Sequence, residues 1–125
     1  MIVVADNDEG MRLVLAHALT RDGYAVETIA DGQLLWPTLQ EPTVQLVVLD
    51  LRMPGMNGWE VLRRLKDVRQ HPEAARPALP VIVISAQSDP ETKRFAVRLG
   101  AAEFMAKPID LKDFGRVVRK VLQTV

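Results

Sequence analysis

Leu46-Val47-Val48-Leu49-Asp50-Leu51-Arg52-Met53-Pro54-Gly55-Met56-Asn57-Gly58 is the stretch whose reading decides the fold. Four consecutive aliphatic residues without alternation suit a strand buried on both faces, and such strands belong to parallel sheets covered by helices. The run ends on a carboxylate, and Pro54-Gly55 then turns the chain. An aspartate at the lip of a strand is expected to be presented at a rim and not buried.

Working outward, the same construction recurs. Ile2-Val3-Val4-Ala5 closes on Asp6-Asn7-Asp8, Val81-Ile82-Val83-Ile84 closes on Ser85, and Phe104-Met105-Ala106 closes on Lys107. Strands are predicted near residues 2–5, 24–29, 45–50, 80–84 and 102–106, each followed by a candidate helix. Five such units imply a parallel sheet with helices on both faces. The unbroken runs at 46–49 and 81–84 belong at its centre, whereas Tyr24-Ala25-Val26-Glu27-Thr28-Ile29 alternates and fits an edge.

Helix signals agree. Phe114, Val117, Val118, Val121 and Leu122 recur at helical spacing and leave Lys112, Arg116, Arg119 and Lys120 for solvent. Asn57 with Glu60, Ser88 with Glu91, and Asp110 are expected N-caps, and Gly23 and Gly100 stand where helices should stop. Residues 69–80, with three prolines, read as a long loop before the fourth strand. His17 and His71 read as solvated or structural, and Trp36 and Trp59 as packing residues.

Composition narrows the function classes. A chain of 125 residues makes one domain. Its 16 basic and 16 acidic side chains cancel, so no global field draws it to nucleic acid or an anionic membrane. The absence of cysteine excludes disulfides, thiol catalysis and Cys-type zinc sites. No stretch has the pattern of a signal peptide or membrane span, and a cytoplasmic location is expected.

Chemistry in an open parallel sheet sits at the carboxyl ends of the strands, which places Asp6, Asn7, Asp50, Ser85 and Lys107 on one rim. Asp6, Asn7 and Asp50 are oxygen donors of the kind magnesium takes. A hydroxyl and an ammonium beside them complete a cradle for phosphoryl oxygens, so the four strand ends together read as a phosphorylation site. The bland reading has Asp6, Asn7 and Asp8 capping the first helix and Asp50 opening a turn.

On these segments, together with Gly100-Ala101-Ala102-Glu103-Phe104-Met105-Ala106-Lys107-Pro108, the chain resembles, end to end, the receiver domain of two-component response regulators. The resemblance implies a single-domain (βα)5, flavodoxin-like, doubly wound α/β sandwich over residues 1–125, with strand order 2-1-3-4-5 and no output domain in this chain. It implies that Asp50 takes a phosphoryl group from a sensor histidine kinase or histidine phosphotransfer protein, with Mg2+ as cofactor. Asp6, Asn7, Asp50 and the backbone carbonyl of Arg52 are implied as the metal ligands, and Lys107 and Ser85 as the groups that steady the phosphoryl oxygens. Ser85 and Phe104 are implied as the switch pair, Ala86 as lining the donor's route, and Lys107–Pro108 as a cis peptide. Phe104 also reads as a static core aromatic.

The expected readout surface carries Arg94, Arg98, Glu103, Lys112, Asp113, Arg116 and Arg119, facing an output partner or a second copy of the chain in a homodimer. The domain is expected to catalyse only its own phosphoryl transfer and loss. One departure stands out: Asn7 occupies a position the family fills with aspartate, which implies weaker magnesium binding and altered phosphorylation. The alternative is therefore a phosphorylation-independent interaction module of the same fold. A haloacid-dehalogenase-like phosphatase wants a second aspartate where Arg52 stands, and a dinucleotide-binding loop wants glycines where Asp6-Asn7-Asp8-Glu9 stand.

Overall fold

The computed structural model describes residues 1–53, 55–70, 79–87 and 89–123. Along the chain run β1 (Ile2–Ala5), α1 (Glu9–Arg21), β2 (Val26–Ile29), α2 (Gly32–Leu39), β3 (Leu46–Asp50), β4 (Arg52–Met53), β5 (Met56–Asn57), α3 (Gly58–Gln70), β6 (Val81–Ser85), α4 (Pro90–Arg98), β7 (Glu103–Ala106) and α5 (Leu111–Gln123). The main sheet is parallel with order β2-β1-β3-β6-β7, and β4 and β5 form a separate two-residue antiparallel ladder. Counted over the five main strands this is the expected 2-1-3-4-5 order. β3 is central, and β2, the alternating segment, is an edge.

Strand pleating divides the core in two. Val3, Ala5, Val47, Leu49, Val81 and Val83 point to one face, where they meet Leu35 and Leu39 of α2, Val61, Leu62 and Leu65 of α3, and Ala96 of α4. Ile2, Val4, Leu46, Val48, Ile82 and Ile84 point to the other, against Leu15 and Leu19 of α1 and Phe114, Val118 and Val121 of α5. Every residue of β1, β3 and β6 is buried, which is why these runs carry no polar alternation.

Helix ends follow local chemistry. Asp8 caps α1 and Asp110 Oδ1 accepts from the Lys112 and Asp113 amides of α5. Asn57 Oδ1 accepts from the Trp59 N–H at the start of α3. The expected Ser88 cap lies outside the described residues, and the cap of α4 is Asp89, which accepts from Thr92 and precedes Pro90. Gly23 and Gly100 follow α1 and α4 with φ of 96° and 102°, the left-handed conformation that ends a helix. Arg69 and Gln70, expected in a loop, belong to α3. The rest of that expected loop up to residue 78, with His71, lies outside the described residues. His17 is exposed, and Trp36 and Trp59 pack partly buried against the core.

Candidate functional site

The strand order reverses at β1 and β3, so their carboxyl ends open the crevice where ligands of such sheets bind. β1 delivers Asp6 there and β3 delivers Asp50. Lys107, following β7, reaches across both: Nζ lies 2.9 Å from Asp6 Oδ2 and 3.2 Å from Asp50 Oδ2. Asp6 Oδ1 accepts from the Asp8 N–H at 2.9 Å, and Asp50 Oδ1 from the Arg52 N–H at 3.1 Å.

The two carboxylates are not presented as expected. Asp6 is fully buried and Asp50 is only 5 % exposed. The backbone two residues on folds back to donate to each acid, and the Lys107 ammonium contacts both. Desolvation raises the Asp50 pKa above its ordinary 3.8; the Arg52 amide opposes this, the nearby Asp6 charge adds to it, and the attraction of Lys107 is too small to reverse it. Burial alone would depress Lys107, but Asp6 and Asp50 outweigh it and hold the ammonium above its usual range.

Loop geometry fixes these groups. Beyond Asp50 the chain folds into the β4–β5 ladder, with Arg52 paired to Asn57 and Met53 to Met56. Gly55 takes φ of 82° in the intervening turn. Gly58 packs so closely that an added Cβ would sit 2.6 Å from Leu51 Cα, and its N–H donates to the Leu51 carbonyl at 3.2 Å. A side chain at 58 would push the loop after Asp50 out of place. The sequence pattern marks Pro54-Gly55 only as a turn and does not single out Gly58; its signal is the Asn57-Gly58 pair at a helix start. Arg12 is also missed by sequence reasoning: its guanidinium donates to the Asp6 carbonyl at 2.7 Å and braces the end of β1.

Asn7 lies among these groups. One end of its amide lies 3.2 Å from Asp50 Oδ2 and 3.2 Å from the Arg52 carbonyl oxygen: as nitrogen it donates to both, and as oxygen it would join them around a cation. Asp6, Asn7, Asp50, Arg52 and Lys107 are thus brought together by direct contacts. Ser85 is buried one strand away, and its Oγ accepts from the Gln87 N–H at 3.0 Å while its carbonyl accepts from the Lys107 N–H. Phe104 sits partly buried against the core and pairs in register with Val83. The Lys107–Pro108 bond is cis, and Ala86 is exposed beside Ser85.

Among the described residues no three His, Cys, Asp or Glu side chains come together to hold an ion. The donors here are two carboxylates, an amide and a backbone carbonyl. Asp6 Oδ2 is buried, with the Lys107 ammonium 2.9 Å from it. Two buried carboxylates beside an amide and a backbone carbonyl fit a hard cation that keeps several of its waters.

On the expected readout surface, Glu103 is paired with Lys120 at 2.8 Å, Asp113 with Arg116, and Arg119 with Asp22 at 3.9 Å. Phe104, Pro108, Asp113 and Arg116 line part of an open cavity of about 440 Å³ between β7 and α5.

A five-stranded parallel sheet with a lysine bridging two buried aspartates at its switch point defines a signalling domain of the receiver type. The chain belongs to the response regulator receiver domain family, whose description matches residues 2–119. It is 37 % identical over 123 residues to the DNA-binding transcriptional regulator NtrC of Azospirillum brasilense and 38 % identical over 121 residues to that of Bradyrhizobium. These matches cover 98 % and 97 % of this chain but 24 % of each relative, so the chain spans about a quarter of their length. The receiver domain of NtrX from Brucella abortus superimposes with a TM-score of 0.85 at 30 % identity, covering 100 % of both chains. No helix among the described residues is long and apolar enough to cross a membrane.

Proposed function

We propose that this receiver domain accepts a phosphoryl group on Asp50 and passes the event on by a change at its β6–β7 edge. The observation that carries the reading is the Lys107 ammonium set between Asp6 Oδ2 and Asp50 Oδ2 at the carboxyl rim. The donor is a phosphohistidine of a sensor histidine kinase or phosphotransfer protein. A carboxylate oxygen of Asp50 attacks phosphorus, the P–N bond breaks, and the imidazole leaves with the bonding pair and then takes a proton. Such transfer demands positioning and charge neutralisation more than covalent chemistry from the protein.

The chain's residues have distinct tasks. The Arg52 N–H orients the Asp50 carboxylate. Lys107 supplies positive charge to the phosphoryl oxygens, and the Ser85 hydroxyl can leave the Gln87 N–H to donate to one of them. Asp6, Asn7, Asp50 and the Arg52 carbonyl are the groups that would hold Mg2+, which when bound neutralises phosphoryl charge as a Lewis acid. The acyl phosphate carries about −1.5 to −2 charges, by analogy with other phosphorylated side chains, in place of the single charge of the Asp50 carboxylate, and brings new acceptor oxygens to the rim. Ser85 moves toward it, and Phe104, one strand over, follows inward.

Output passes to a partner chain or a second copy; direct nucleic-acid contact is not part of this reading. A phosphorylation-independent interaction module is the second reading, favoured by the inward-facing Asn7 amide. Intact mass after incubation with acetyl phosphate or phosphoramidate and magnesium separates them. One phosphoryl adduct, missing from Asp50→Asn and from a chelated control, supports the acceptor. No adduct, under conditions that label an active receiver, sinks it.

A further inference from the structure

A phosphoryl donor to Asp50 has to place the group it sheds somewhere. In-line attack sets that group on the far side of phosphorus from Asp50, toward the outside. Asn7 and Arg52, which both touch Asp50, also line an open cavity of about 620 Å³ whose walls include Met53, Asn57, Trp59 and Gln87. Arg52 is the one charged residue among those described on these walls, so an anionic donor meets no carboxylate there.

Trp59 is the flat apolar element of the wall, and its neighbours hold it in place. Its backbone N–H donates to Asn57 Oδ1 at 2.9 Å, and the preceding Gly58 is packed against Leu51, the residue after Asp50. From α4, Phe95 meets the indole as an edge-to-face pair, with ring centroids 5.0 Å apart and planes crossed at 66°. The ring is thus set from α3 and steadied from α4, yet it is only partly buried and borders the cavity. Packing against the core accounts for apolar bulk at this position but not for an aromatic ring at the mouth of the site.

We propose that Trp59 determines donor specificity: the imidazole ring of an N-phosphoimidazole donor stacks on the indole while Asp50 attacks phosphorus. As the bond from the Asp50 oxygen to phosphorus forms and the P–N bond breaks, the ring takes the bonding pair and then a proton from water. A leaving group without a ring, such as the ammonia of phosphoramidate, gains nothing from the indole. A stack made equally in the bound donor and in the transition state raises kcat/KM for the donor that makes it. This selection rests on the acceptor reading and adds to it the residue that reads the donor.

The test compares second-order rate constants for phosphorylation of the full chain, with magnesium, by monophosphoimidazole and by phosphoramidate, read by intact mass. The quantity that decides is the ratio of the two constants, which a merely structural defect leaves alone because it slows both donors together. Trp59→Leu is expected to lower the ratio on the order of three- to tenfold, the worth of one aromatic pair. Trp59→Phe, which keeps a ring, should restore most of it. Phe95→Leu, which removes the edge-to-face partner, should fall between wild type and Trp59→Leu.

A ratio in Trp59→Leu equal to that of wild type overturns the proposal and leaves Trp59 a packing residue. Should Trp59→Leu not fold, Phe95→Leu decides: a lowered ratio supports the stack, and an unchanged one overturns it. Wild type labelled by phosphoramidate but not by monophosphoimidazole also overturns it, with the acceptor reading intact. Wild type labelled by neither donor overturns the acceptor reading and the stack together.

Discussion

β3 and β7 run parallel in one sheet, and each sends a charged group to the same rim, yet they are built differently. β3 is paired on both sides, with β1 and β6, and all its residues are buried. β7 is paired only with β6, and none of its residues is fully buried. Asp50 thus stands on a strand paired and buried on both sides, and Lys107 follows one that is paired on a single side and only partly buried. Local stability follows burial and pairing, so elements that move are drawn from the soft end. The lesson is a contrast within one rim: the strand that carries Asp50 is held from both sides, while the strand that carries Phe104 and leads to Lys107 is held from one, as the proposed acceptor and the proposed switch would each require.

The largest expected effect addresses the fixed side. Asp50→Asn should abolish the phosphoryl adduct entirely in intact-mass measurements. Labelling that persists at another residue would break the assignment of the acceptor to β3.

The next contrast compares packing on the two strands. Leu49 is fully buried, and Leu49→Ala should cost about 2–5 kcal/mol in urea unfolding. Phe104 loses a larger side chain but is only partly buried, and Phe104→Ala should cost less than about 3 kcal/mol. Amide exchange should rank the same way, slowest in β3. Equal costs would mean that β7 is as rigid as the centre of the sheet.

A third, smaller effect is pH-dependent. The folded pKa of Asp50 is raised, so the native state holds its proton over a pH window in which the unfolded chain has released it. Ionised Asp50 therefore costs stability, progressively as pH climbs through that window and fully above the folded pKa. Asp50→Asn should be more stable than wild type at neutral pH, with the advantage shrinking as pH falls through the window toward 3.8. Lys107 works at the other end: its raised pKa keeps its contribution intact below 10.5 and loses it only as pH rises through the folded value. A less stable Asp50→Asn at neutral pH would show that the Lys107 contact outweighs burial.

Much of this contrast was legible in the sequence. The unbroken aliphatic runs of β1, β3 and β6 announced two-sided burial, and the alternation of residues 24–29 announced an edge. The rim residues were legible because a polar group that closes an apolar run on a parallel strand has to emerge at the carboxyl end of the sheet. Burial of Asp6 and Asp50 was not, because it depends on how the neighbouring loops and Lys107, distant in sequence, pack around them. The approach of the Asn7 amide to both Asp50 Oδ2 and the Arg52 carbonyl was equally hidden, since it depends on the fold of the loop after Asp50. Gly58 and Arg12 act through contacts with Leu51 and the Asp6 backbone, and neither belongs to a motif that names its partner.

The smallest effect tests whether β7 is held from outside. Glu103, at the start of β7, is paired with Lys120 of α5 at 2.8 Å, and the Lys120 side chain is 68 % exposed. Water screens a pair so placed, and holding two long side chains in one geometry costs entropy, so a double-mutant cycle with Glu103→Gln and Lys120→Met should give about 0.2–1 kcal/mol. Added salt should shrink it further. A soft strand is consistent with so weak a tie. Were the coupling several times larger and insensitive to salt, α5 would clamp β7 to the body of the domain, and the responding edge would have to be sought at β6 and α4 instead.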